Sequence, residues 1–103
     1  MNGYSLYGKL LAQPGSGEQL QGYLLEAARQ MKQLPDCLCY IVGVSPQEPD
    51  HVYVYEAWTS EAAHDAALTM EVFQELIQRA GPLILGMEDQ VPLTILGGKI
   101  GHQ

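Results

Sequence analysis

The run VYVYEAW, residues 52–58, alternates aliphatic and aromatic side chains and ends on the one Trp of the chain. Successive residues of a strand point to opposite faces. His51, Tyr53, Tyr55 and Ala57 therefore share one face, and Val52, Val54, Glu56 and Trp58 the other. Glu56 is the one carboxylate among them. A strand apolar on both sides needs a cover on both sides. The preceding CLCYIVGV, residues 37–44, has the same character: Cys37, Cys39 and Ile41 oppose Leu38, Tyr40, Val42 and Val44.

The rest of the chain supplies one cover. YSLYGKLLA (Tyr4–Ala12) reads as a first strand and QPGSG as a loop. Ser16 and Gln19 fit a capping box. Leu20, Tyr23, Leu24, Ala27, Met31 and Leu34 then follow the 3,4 spacing of one helix face, and the helix stops before Pro35. SPQEPD (Ser45–Asp50) is a turn, so Cys37–Val44 and His51–Trp58 form a hairpin. Thr59 or Ser60 caps a second helix with the face Ala63, Ala66, Ala67, Met70, Phe73, Ile77 and Ala80, which Gly81 and Pro82 end. LILGM is a short extended piece, and VPLTILGG (Val91–Gly98) is a final strand whose Pro92 fits an edge. The order β-α-β-β-α-β predicts an α+β, ferredoxin-like split βαβ over residues 1–103: a four-stranded antiparallel sheet with its helices on one face. The helices cover one face only. The apolar character of the other predicts a homodimer packed sheet to sheet.

Charge narrows the partners. Twelve acidic residues face five basic ones, for a net charge of −7, and Lys9, Arg29, Lys32, Arg79 and Lys99 are scattered. Nucleic-acid binding depends on phosphate neutralisation, so this balance argues against it. No apolar run approaches the length of a membrane span, and the N-terminus lacks the pattern of a secretory signal. Both point to a cytoplasmic protein. Cys37 and Cys39 would share a strand face, yet no second pair or suitably spaced His completes a metal site. No metal is expected, and two small buried apolar residues are the simpler reading. The chain has no G-x-S-x-G, P-loop or H-E-x-x-H.

Glu56 is the outlier, since a carboxylate among apolar neighbours needs a partner or a raised pKa. It is either a general base or polar anchor in a cavity between sheet and helices, or a structural residue paired with Arg29 or Arg79 or satisfied at the strand end. Trp58 is either a core aromatic or a flat wall for a planar ligand. His64 falls in the first turns of the second helix, near the edge of its buried face. The small residues Ala63, Ala66 and Ala67 either let the helix approach the sheet or leave room for a pocket.

The segment from Leu34 to Leu76 resembles the antibiotic biosynthesis monooxygenase family, which includes small quinol monooxygenases. The matching elements are Pro35-Asp36-Cys37 with Tyr40, Glu56-Ala57-Trp58, Ser60-Glu61 and Val72-Phe73. The resemblance implies a dimeric α+β barrel with a cavity between sheet and helices. It also implies oxidation of a small aromatic phenol or quinol by O₂, with no metal or other cofactor. Glu56 and His64 would serve as catalytic residues; Trp58, Tyr40, Ala67 and Phe73 would contact the substrate. Many members carry a His where this chain has Ala67, and His64, about one turn away, could compensate. A haem-degrading branch places a His around Ile77 and an Asn around Gly8, and neither is present. Two other readings share the fold: a non-catalytic ligand-binding or stress-response dimer, and a polyketide cyclase- or isomerase-like enzyme.

Overall fold

The computed structural model describes residues 3–99. The chain runs β1 (Gly3–Ala12), α1 (Gly17–Met31), β2 (Cys37–Ser45), β3 (Glu48–Trp58), α2 (Glu61–Leu68), α3 (Glu71–Ala80), a 3₁₀ turn (Gly81–Leu83) and β4 (Ile84–Ile95). The sheet is antiparallel in the order β2-β3-β1-β4, the expected ferredoxin-like arrangement. α1 packs on β2 and β3, α2 on β1 and β3, and α3 against α1.

The core lies between sheet and helices in two clusters. Leu10, Ala12, Leu20, Val52, Val54 and Ala80 form one. Ala27, Met31, Trp58, Ala67 and Phe73 form the other. The even-numbered face of β3 therefore turns toward the helices, as the alternation requires.

Five local expectations are corrected. The Ser16 side chain makes no cap hydrogen bond. Instead Asp50 accepts from the Gly15 N–H at 3.0 Å and the Gly17 N–H at 2.8 Å. A distant carboxylate, rather than the local hydroxyl, satisfies the first helical donor, Gly17, together with a loop N–H before it. The β2–β3 turn is Pro46-Gln47 rather than six residues, and a register shift between Val44 and Ser45 frees Asp50 to reach α1.

The second predicted helix is two helices. Thr69 Oγ1 donates to the Ala66 carbonyl at 2.7 Å, and Met70 takes an extended ψ of 140°. This side-chain competition with the helix ladder ends α2. It leaves Met70 and Ile77 exposed while Phe73 and Ala80 stay buried. Finally, β4 is one strand from Ile84. A bulge opposite Gly8 puts Asp89 at a φ of 54°, which Asp tolerates. Pro92 sits in this edge strand, as expected.

A bulge also separates the cysteines. Cys37 pairs with Trp58 and Cys39 with Ala57. Cys37 thus faces the helices and Cys39 the open side, correcting the shared face that plain alternation predicts.

Candidate active site

The β3–α2 junction places the acidic centre. Thr59 donates to Asp36 twice, from its N–H and its hydroxyl, each at 2.9 Å. Ser60 then caps α2 by accepting from the Ala63 N–H at 3.1 Å, as Ser at an N-cap does. This directs the next residue, His64, back over the sheet beside Glu56. His64 is only 8% exposed, deeper than a position near the edge of the helix's buried face suggests.

Glu56 is not paired with an arginine. Arg29 instead holds Glu26. The partners of Glu56 are Trp58, whose Nε1–H donates to Oε1 at 2.9 Å, and His64, whose Nε2 lies 3.6 Å from the same oxygen. The other ring nitrogen, Nδ1, is 3.0 Å from Asp65 Oδ1. The His64 ring is wedged between Tyr4, tilted at 5.3 Å, and Trp58, edge-on at 5.7 Å. Burial pushes the Glu56 carboxyl above the ordinary carboxylate range, while the Trp58 hydrogen bond and His64 pull the other way. Burial likewise holds the Tyr40 phenol well above its usual value, reinforced by the Glu56 charge. The Cys37 thiol is pushed up to about 11, mainly by burial, so it is no thiolate nucleophile.

A cavity of about 340 Å³ lies between sheet and helices. Tyr23, Leu24, Ala27 and Met31 of α1 form one wall, and Phe73, Leu76, Ile77 and Ala80 of α3 another. The sheet supplies Leu10, Tyr40, Glu56 and Met87 as the floor. The exposed side chains of Leu68, Ile77 and Met87 stand at its rim. The lining contains no Lys or Arg. A more open cleft of about 360 Å³ lies between the end of α1 and edge strand β2. No carboxylate or His lines it, so the first cavity, which holds Glu56, is the candidate site.

Of the residues singled out from sequence, Glu56, Tyr40 and Phe73 line the cavity together. Tyr40 and Glu56 are cross-strand partners. Trp58, 1% exposed, lies in the core and reaches the site through its bond to Glu56. Ala67 packs beside Trp58 and Phe73 outside the lining. His64 stands behind Glu56. Asp65, Tyr4 and Tyr23 were not singled out as site residues. Asp65 had a signal, its adjacency to His64. Tyr4 had none, because its proximity arises from β1–β3 pairing. Among the described residues no three His, Cys, Asp or Glu side chains are grouped to hold a metal ion. At the haem branch's first-strand position, Gly8 is overlain by the Gln90 side chain, which stands where a Cβ would go.

Solved structures of similar shape point one way. A candidate antibiotic biosynthesis monooxygenase of Chloroflexus aurantiacus is 35% identical, with a TM-score of 0.86 over 96% of this chain and 99% of its own. One of Bacteroides thetaiotaomicron is 18% identical, with a TM-score of 0.86 over 99% of this chain and 97% of its own. One of Caulobacter crescentus is 21% identical, with a TM-score of 0.78 over 95% and 92%. These two show the fold alone. No curated protein matches the chain. The family model described as antibiotic biosynthesis monooxygenase matches residues 4–79, a span that takes in β1, the Glu56–Trp58–His64 cluster and most of the cavity walls. With that match over most of its length, the chain belongs to the antibiotic biosynthesis monooxygenase family.

Proposed function

We propose that the chain is a monooxygenase that oxidises a small, neutral aromatic phenol or quinol with O₂, using no metal or organic cofactor. The observation that carries this is the placement of Glu56: one buried carboxylate in an otherwise apolar cavity, held through Oε1 by Trp58 and backed by His64. An electron-rich phenol becomes a reductant of O₂ once it is deprotonated. The protein then needs to desolvate it, orient it and take its proton. The raised pKa of Glu56 brings the carboxylate closer to the phenol it must deprotonate. The absence of cations in the lining favours a substrate without carboxylate or phosphate groups.

For a quinol with a free ring position the balance is quinol plus O₂ to hydroxyquinone plus water. One oxygen atom replaces a ring hydrogen and the other leaves as water. Two electrons come from quinol oxidation and two from the C–H bond. Glu56 takes the phenolic proton; the anion gives an electron to O₂; the radical pair joins at carbon; the phenolic proton is passed on to the distal oxygen, and loss of the ring hydrogen as a second proton expels that oxygen as water.

Activity is tested by oxygen consumption and product mass with quinols and anthrone-like phenols. Glu56→Gln is expected to lower kcat/KM by about 10²–10⁴-fold. Undiminished turnover in that variant would refute the base. Tight binding without oxygen uptake would turn the reading to a binding module, and a product of unchanged oxygen content to an isomerase or cyclase.

The same reading includes a homodimer. The open sheet face carries a row Ile41–Tyr55–Tyr7–Val91 across all four strands. Ile41 is 58% exposed, and Leu93 in the next row 48%. A contiguous apolar face of this kind is suited to a second copy of itself.

A further inference from the structure

The Glu56–His64–Asp65 line has a feature that a single base does not require. Both ring nitrogens of His64 face carboxylates: Nε2 lies 3.6 Å from Glu56 Oε1, and Nδ1 lies 3.0 Å from Asp65 Oδ1. The His64 side chain is 10% exposed and that of Asp65 is 65% exposed. A neutral imidazole has one N–H and satisfies one carboxylate; an imidazolium has two and satisfies both. The other groups packed around the pair are Tyr4 and Trp58, with Tyr40 and Cys37 beyond Glu56 and Glu61 near Tyr4. None of these is a cation. Two carboxylates therefore face the two ring nitrogens, and no cation among the described residues is packed against them.

The proposed reaction makes use of such a group. It removes two hydrogens from the substrate as protons, one from oxygen and later one from carbon, and both end in the water that leaves. Glu56 holds one proton at a time. A neighbouring group that relieves Glu56 of the first proton leaves it a carboxylate again, ready for the second.

We infer that His64 is that group, a proton store: it takes the substrate's first proton from Glu56 and holds it as an imidazolium between Glu56 and Asp65. The inference rests on Glu56 being the base. The phenol O–H breaks with its electron pair left on oxygen, and the proton goes to Glu56. The Glu56 O–H then breaks as Nε2–H forms. Glu56 is again a carboxylate, and charge is conserved. The 3.6 Å separation is longer than a hydrogen bond, and such contacts tighten when a site fills. His64 does not touch substrate, so it is a positioning residue that acts through Glu56.

The test uses 4-nitrophenol, whose ionisation is visible in its absorbance and which O₂ leaves intact. The full chain is titrated with it below the pH at which the free phenol ionises. His64 is followed by ¹⁵N NMR. The expected result is a bound phenolate with His64 shifting to the imidazolium pattern on binding. His64→Gln should lower the bound phenolate fraction about tenfold or more, and Asp65→Asn should lower it less. A phenolate that forms equally well in His64→Gln, or forms while the His64 nitrogens stay unmoved, overturns the store and leaves the base intact. Failure of the wild type to ionise the phenol, or ionisation undiminished in Glu56→Gln, overturns the base reading and the store with it.

Discussion

Glu56 was conspicuous in the sequence because a carboxylate interrupts an apolar strand face. What surrounds it was not. The Trp58 bond joins residues i and i+2 on one strand face, which alternation allows but does not require. The His64 contact depends on how α2 leaves β3, which Ser60 and Thr59 decide. A pH-dependent stability follows from Glu56. Its folded pKa lies above the ordinary value of 4.5, so the folded state binds a proton more tightly than the unfolded chain does. The stability this gives is fully present below about pH 4.5 and is lost as pH rises through the folded pKa. Glu56→Gln, which stays neutral, should therefore gain in melting temperature relative to wild type between pH 4 and pH 7. Parallel melting curves for the two proteins at both pH values would contradict this.

At the scale of elements, the clamp between Asp50 and α1 is the clearest long-range fastening. Its carboxylate takes two backbone N–H groups at the start of the helix, across 35 and 33 residues. Gly17 lets the chains approach this closely, since a Cβ there would meet the Pro49 carbonyl oxygen. Asp50→Ala should cost about 1–3 kcal/mol, because it leaves the first helix donor and a loop N–H unpaired. Chemical denaturation with an unchanged m-value reads this directly, and a loss within error of zero would mean that water replaces the clamp. Secondary structure was largely legible from spacing, because periodicity is a local property. The break between α2 and α3 was not. Ala63, Ala67, Phe73 and Ala80 fit one continuous helix face, and Thr69 ends the first helix by bonding its own backbone.

At the scale of the molecule, one sheet face meets the helices and the other presents Ile41, Tyr55, Tyr7 and Val91. Tyr55→Glu places a charge in the middle of that row. A monomer tolerates it at the surface, whereas a dimer would have to bury it against its own copy. Sedimentation should show a dimer for wild type and a monomer for the variant. A wild type that sediments as a monomer would refute sheet-to-sheet pairing. No helix among the described residues is long and apolar enough to cross a membrane.

By itself the sequence determined the element types, the family pattern and the one buried carboxylate, because each is carried by neighbours in the chain: alternation, helical spacing, E-x-W. Only the tertiary structure decided that Trp58 is a donor behind the cavity rather than its exposed wall, that Cys37 and Cys39 part at a bulge, and that His64 bridges Glu56 and Asp65. Those outcomes depend on register, on a bulge and on the angle at which a helix leaves a strand. Such quantities are set by packing between segments far apart in the chain, and no local spacing encodes them.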